Sequence, residues 1–273
     1  MYEHNVRRIL ESLSPSDVML DIGGWARPFR RADYVIDAEP YETRGYGGAC
    51  GPPQGGDREF FTEETWIQRD ICEKTPFPFA DKEIDFVTCS HTLEDVRDPL
   101  WVCSEMIRVA KRGYIEMPSR VAESSRGVEP NQVGWTHHRW LAEIEGDQVR
   151  FLMKYHMIHS NWRFSLPASY MKRLPEERHV QWLFWDDSFA FSETTIHGVE
   201  NIAAELERFV QQERPYPRWL VRLDRRYRQA RALEGRVYGR LRRALSGTAQ
   251  EAASDDVSRG HDEAASATRT SET

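Results

Sequence analysis

Apolar residues in the first 120 positions fall into short runs, each closed by turn-forming or polar residues. Val18 Met19 Leu20 Asp21 Ile22 follows the turn Ser14 Pro15 Ser16 Asp17 and stops at Gly23 Gly24. Tyr34 Val35 Ile36 Asp37 is a second run, residues 65–71 a third, residues 84–90 a fourth and residues 114–118 a fifth. Runs this short with few hydrophilic positions predict strands buried on both faces. Between the fourth and fifth, residues 99–110 place apolar side chains at helical spacing, and Arg112 Gly113 then turns the chain. A short leading helix is expected over residues 1–13. Strand and crossover in alternation predict an α/β fold: a Rossmann-like, mostly parallel sheet with helices on both faces.

The pattern changes after Ser119. Residues 139–145 and 148–154 alternate about Gly146 Asp147 and predict a hairpin, and residues 179–185 with 188–192 predict another. Such antiparallel additions, spanning about 120–195, suit a substrate-side lobe. Residues 198–212 read as a helix. From 213 to 245, Leu220, Leu223, Tyr227, Ala230, Val237 and Leu241 lie near one stripe of an arginine-rich amphipathic helix. Beyond Ser246 the residues are mainly Ala, Ser, Thr, Asp and Glu, which predicts a disordered acidic tail over 246–273. The expected organisation is thus one α/β domain over 1–212, the basic helix and the tail.

Charge sharpens this division. The chain of 273 residues has a net charge of -7, but residues 213–243 hold 11 arginines against three acids. The body is therefore acidic, which disfavours nucleic acid as a partner. The basic helix packs on that acidic body or makes peripheral contact with an anionic membrane surface. No run approaches the roughly 20 apolar residues of a membrane span. Cys50, Cys72, Cys89 and Cys103 show no metal-ligand spacing and read as reduced thiols, which together with the absence of a leader signal predicts a cytoplasmic protein.

Ligands of parallel α/β sheets sit outside the carboxyl ends of the strands. At those ends the chain places Gly23 and Gly24, whose missing Cβ atoms admit a ligand close to the backbone. Asp37 is placed to accept from two ribose hydroxyls, Asp70 from an adenine amino group, and Ser90 and His91 stand above a reacting centre.

In this order, Leu20 Asp21 Ile22 Gly23 Gly24, Ile36 Asp37, Arg69 Asp70 Ile71, and Phe77 to Asp81 with Ile84 to Val87 resemble the class I S-adenosylmethionine-dependent methyltransferases. His91 to Pro99 is similar to that family's segment after strand four, and Glu105 to Val109 to the helix before strand five. The resemblance covers roughly residues 17–119. It implies S-adenosylmethionine as cofactor, with Asp21, Gly23 and Gly24 at its methionine end, Asp37 on the ribose, Asp70 and Ile71 on the adenine, and Ser90 or His91 near the sulfonium. It implies methyl transfer to a small-molecule or glycan acceptor, which rests on orientation and, for a hydroxyl, on a base. Two departures stand out: Trp25 Ala26 Arg27 Pro28 replaces a third glycine, and only residues 23–33 separate the first two strands, so the first helix is very short or absent. A compact subgroup linked to glycan or polysaccharide synthesis resembles this form.

His91 and His138 are the candidate catalytic residues, His91 as a base or as the cap of the next helix. His137, His138, His156 and His159 do not fall at metal-ligand spacing, and no metal is expected. Residues 41–61, rich in glycine, read as a mobile surface loop that closes over cofactor or merely connects. The rival to an enzyme is a non-catalytic domain of the same fold that acts as a binding or scaffold protein. A nicotinamide-dependent oxidoreductase is disfavoured because its glycine fingerprint is absent.

Overall fold

The structure of the protein, a computed structural model, describes residues 1–48, 51–215, 217, 219, 220, 222, 223, 226 and 238. The chain divides into Met1–Arg214 and Pro215–Thr273. In the second unit the described positions 219, 220, 222, 223, 226 and 238 are helical. Most of the expected basic helix, and all of the expected acidic tail, lie outside the described residues. Among the described residues no helix is long and apolar enough to cross a membrane.

The first unit opens with α1 (Glu3–Ser12), followed by β1 (Met19–Ile22), β2 (Tyr34–Asp37), β3 (Trp66–Gln68), β4 (Phe86–Ser90), α2 (Pro99–Val109) and β5 (Arg112–Pro118). The short helix α3 (Arg120–Glu123) leads to β6 (Trp140–Glu145) and β7 (Gln148–Met153). Then come α4 (Ala168–Met171), β8 (Val180–Asp186), β9 (Ala190–Thr194) and α5 (Val199–Glu213). Six strands form one sheet in the order β3-β2-β1-β4-β5-β8. The first five are parallel and β8 runs antiparallel along β5. This is the expected α/β class, with the winding direction reversing between β1 and β4. That switch point is where a crevice opens in such sheets.

Alternate strand residues enter two cores. Leu20, Ile22, Ile36, Val87, Cys89, Ile115 and Met117 pack with Val102, Met106 and Val109 of α2 and with Trp140 and Phe151 of the β6–β7 pair. Their neighbours Met19, Val35, Phe86 and Tyr114 pack against Val6 and Ile9 of α1 and against Phe29 and Phe61. Each buried aliphatic side chain contributes about 1.5–3 kcal/mol, so both faces of the sheet are secured without a helix between every pair of strands. Helix α2 begins cleanly because Asp98 Oδ1 accepts from Trp101 N at 2.9 Å and Pro99 presets the first turn.

Residues 23–33 contain no regular helix. This crossover instead hangs on Asp21, whose Oδ2 accepts from Phe29 N at 2.8 Å while the Phe29 ring is fully buried. The 41–61 loop is less of a free surface loop than its composition suggested. Gln54 Nε2 donates to Arg27 O at 2.6 Å, Arg30 N to Gln54 O at 3.0 Å, and Phe61 is buried. Residues 49 and 50 lie outside the described set.

The first expected hairpin forms as β6 and β7, turning at Gly146. The second does not form. β8 completes the edge of the main sheet on β5, whereas β9 joins β7 in parallel to make a three-stranded sheet β6-β7-β9. Asp187, at φ +62°, parts the two strands and donates its N–H to Lys111 O at 2.7 Å. The reason lies in β5: its outer edge carries a row of backbone donors and acceptors that seven residues of β8 satisfy. The β6–β7 pair is then buried on both faces, Trp140 and Ala142 against the α2 core and Leu141 and Leu152 against Leu206 of α5.

Candidate functional site

A cavity of about 670 Å³ opens at the switch point, at the carboxyl ends of β1, β2 and β4. Asp21, Gly23, Gly24, Asp37, Ser90, His91 and His138 all line it. Of the residues singled out in the sequence, Asp70 and Ile71 do not. The Asp70 carboxylate accepts from Arg97 and from Cys72 N, and Arg97 holds its pKa below the usual carboxylate value. Ile71 is buried in the α2 core. The third strand ends at Gln68, three residues short of its expected end, so Asp70 and Ile71 belong to the turn beyond it.

The glycines earn their place differently from the expectation. Gly23 adopts φ +73°, and a Cβ there would stand 2.1 Å from Thr92 Oγ1. At Gly24 a Cβ would stand 2.4 Å from Asp21 Oδ2. The missing side chains thus make room for Thr92 and Asp21, which brings the β1 and β4 ends together, and the backbone still faces the cavity.

Asp21 is buried, with Oδ1 accepting from Thr88 Oγ1 at 2.7 Å and Oδ2 from Phe29 N. Burial pushes its pKa up to about 6 although these donors favour the charge. Asp37 Oδ2 accepts from Trp25 N and Oδ1 from Glu39 N, both at 2.9 Å. Burial raises its pKa too, against those amides. Each Asp37 oxygen keeps a second lone pair, so the group can still accept two hydroxyls.

On the β4 side the site is built from side chains. His91, at φ +54°, places Nε2 3.1 Å from Glu116 Oε1 and Nδ1 3.4 Å from Glu94 Oε1. Burial opposes its charge, but the two carboxylates outweigh it and hold the imidazole pKa at about 9. Burial likewise opposes the charge on Glu116, whose pKa His91 nevertheless helps to bring down to about 2. With both nitrogens protonated at neutral pH, His91 directs its two N–H groups at Glu116 and Glu94.

His138 is stacked on Trp135 with ring centroids 5.0 Å apart, and its Nδ1 meets the buried carboxylate of Glu123. The other Glu123 oxygen accepts from Lys154 Nζ at 2.7 Å. Burial disfavours the imidazolium, yet Glu123 raises its pKa above the ordinary value. His138 Nε2 faces Asp95 Oδ1 at 3.6 Å, beyond hydrogen-bond length. That oxygen is buried and makes no hydrogen bond among the described residues. Burial raises the Asp95 pKa, and Glu94 and Glu123 nearby push the same way, against His138 and His137.

Asp95 and His138 meet because two segments are stitched together. Residues 92–96 form a turn in which Asp95 N donates to Thr92 O at 3.0 Å. Arg139 N and Trp140 N both donate to Glu94 O, at 2.7 and 3.1 Å, and Trp140 Nε1 donates to Val96 O at 2.8 Å. His137, its ring edge-on to His138 at 4.5 Å, completes a group in which Asp95, His137 and His138 each offer one donor atom, all within 4.8 Å of one another. Spacing in sequence gave no sign of this trio, because Asp95 lies over 40 positions from the histidines. Thr92, Gln54, Arg27 and Asp95 are further lining residues that the strand-end reading missed.

Residues 55–115 match the family described as a methyltransferase domain, which spans β3, β4, α2 and part of β5. No curated protein matches the chain. Among solved structures, the chain is similar to the YcgJ protein of Bacillus subtilis at 17% identity, over 43% of this chain and 52% of that one, with a TM-score of 0.31. It is also similar to a SAM-dependent methyltransferase of Aquifex aeolicus at 18% identity, over 47% and 69% of the two chains and a TM-score of 0.30. An S-adenosylmethionine-dependent methyltransferase of Mesorhizobium loti is 16% identical, over 54% and 62%, also with a TM-score of 0.30. The chain spans about half the length of the first of these, and a methyltransferase domain is what its central segment resembles.

Proposed function

We propose that the cavity binds S-adenosylmethionine and that the protein is a methyltransferase acting on a hydroxyl of a small molecule or glycan. The observation that carries this reading is the convergence of Asp21, Gly23, Gly24, Asp37 and His91 on one cavity at the sheet's switch point. The cavity volume lies within the range of small-molecule sites. Asp37 has the two spare lone pairs that a ribose diol requires, the backbone of residues 23–25 faces the methionine end, and Arg27 lines the same cavity. The match of residues 55–115 to a methyltransferase domain supports the same assignment. Asp70 and Ile71 keep an adenine role in this reading only if the ligand extends past the lining residues toward the turn after β3.

When bound, the cofactor supplies an electrophilic methyl group. The protein's part is orientation and charge. The turn at Gly23 and Asp37 hold the donor, while His91, protonated and with both N–H groups taken up by Glu116 and Glu94, lends positive charge to the cavity wall. A hydroxyl acceptor must lose its proton, and His138 Nε2 and Asp95 Oδ1 are the facing acceptor groups on the β4 side.

Calorimetric titration with S-adenosylmethionine and with its demethylated product tests the cofactor assignment. Saturable binding of both is expected, and the lack of any heat or thermal shift at millimolar ligand overturns it. Isotopically labelled cofactor incubated with cell extract and analysed by mass spectrometry then identifies the acceptor. Binding of cofactor with no labelled product would sort the chain with non-catalytic binding proteins.

A further inference from the structure

We propose that Asp95, His137 and His138 together bind one divalent first-row transition-metal ion on the wall of the cavity. Three features of the site lead there. The first is the donor set: two imidazoles and one carboxylate suit zinc, iron, cobalt or manganese, whereas calcium and magnesium favour all-oxygen cages. The three donor atoms lie within 4.8 Å of one another. Ligands at about 2.1 Å from a common ion stand up to roughly 4 Å apart, so a small side-chain adjustment seats the ion.

The second feature is how His138 is held. Its Nδ1 is engaged by Glu123, which is itself fixed by Lys154 Nζ at 2.7 Å, and this leaves Nε2 directed at Asp95. A histidine whose far nitrogen is tied to a buried carboxylate is the usual outer arrangement of a metal ligand. The third is Asp95 Oδ1, a buried oxygen without a hydrogen bond among the described residues, 3.6 Å from Nε2. A hydrogen-bonded Asp–His pair would close that gap, whereas two ligands of one ion stand about this far apart. The segments bearing the ligands are joined by the hydrogen bonds of Arg139 N, Trp140 N and Trp140 Nε1, which hold the backbones of Asp95 and His138 beside each other. His137, whose side chain is 61% exposed, supplies the adjustable third ligand.

Three protein ligands leave at least one coordination position for solvent or substrate. All three residues line the cavity. If the methyl-transfer reading holds, that position is where an acceptor hydroxyl would be bound and made easier to deprotonate, its proton passing to solvent because His138 Nε2 and Asp95 would then be occupied as ligands. Metal binding itself does not depend on that reading.

The test uses the 273-residue chain, treated with chelator and dialysed, then titrated with Co²⁺ in the absence of any cofactor. Visible absorption and calorimetry follow binding. One equivalent of Co²⁺ with visible bands is expected. His137→Ala, at a mostly exposed position, and Asp95→Asn should each weaken binding at least about tenfold, and Glu123→Gln by about 10–100-fold. Circular dichroism checks that each variant is folded. Absence of Co²⁺ bands in the parent chain, or parent-like affinity in His137→Ala, overturns the proposal. Calorimetry of the metal-free chain with S-adenosylmethionine is run alongside: cofactor binding without Co²⁺ binding sinks this proposal alone, and Co²⁺ binding without cofactor binding sinks the cofactor reading alone.

Discussion

On the β1–β2 side of the cavity, carboxylates are held mainly by backbone amides close in sequence: Asp21 by Phe29 N, Asp37 by Trp25 N and Glu39 N. On the β4 side the groups are held by side chains from other elements: His91 by Glu116 on β5, His138 by Glu123 on α3. The first arrangement organises a loop around acids, and buried acids there have raised pKa values. The second alternates acid and base, so that His91 and Glu116 are charged despite burial. One side is suited to holding a polar ligand without strong fields. The other concentrates charge where a reaction or an ion would need it.

The sharpest way to break this comparison is at Gly23, where the two sides touch. Gly23→Ala must fit a Cβ against Thr92 at φ +73°, and about 2–5 kcal/mol of stability should be lost, read from urea unfolding. A loss below about 1 kcal/mol would mean that the loop relaxes and the two sides are not coupled. Next, Asp37→Ala should cost about 2–4 kcal/mol of S-adenosylmethionine affinity by calorimetry, through two lost ribose hydrogen bonds. Affinity equal to that of the parent chain would remove Asp37 from the ribose site.

A smaller effect probes the β4 side. Glu116→Gln removes the nearer carboxylate from His91, and its imidazole pKa should fall from about 9 by about one unit or more, followed by NMR titration. An unmoved titration would assign the charge to Glu94 instead. The mildest effect is on stability against pH. Because folding raises the His91 pKa from 6.5 to about 9, its contribution is fully present below pH 6.5 and is lost as pH rises through about 9. The ring is 40% exposed, so solvent screening keeps the effect modest. Denaturant midpoints should therefore decline between these values, and the decline should be smaller in His91→Gln, His138 with its raised pKa supplying part of what is left.

Much of the first side was legible along the chain. β2 begins and ends where the apolar run Tyr34–Asp37 does, and the run 18–22 ending at Gly23 located β1 and its turn. The short link of residues 23–33 announced that no regular helix would fit. Asp70 is instructive in the other direction. Its position after an apolar run resembled Asp37, but β3 stops at Gln68, and Asp70 is taken up by Arg97 outside the cavity lining. The split of β8 from β9 was likewise hidden, because two alternating runs around a turn look the same whether they pair with each other or with separate strands.

What this sequence determined alone is whatever depends on neighbours a few positions apart: buried strands from apolar runs, turns from glycine, the start of α2 from Asp98 and Pro99, and carboxylates at strand ends. Only the tertiary structure decided which of these face a common space. It closed Gly23 on Thr92, gave His91 its charge through Glu116, and brought Asp95 to His137 and His138. The physical reason is range. Backbone conformation follows from local sterics and hydrogen bonding, whereas protonation and ligand geometry depend on fields and contacts between segments that the folded sheet alone brings together.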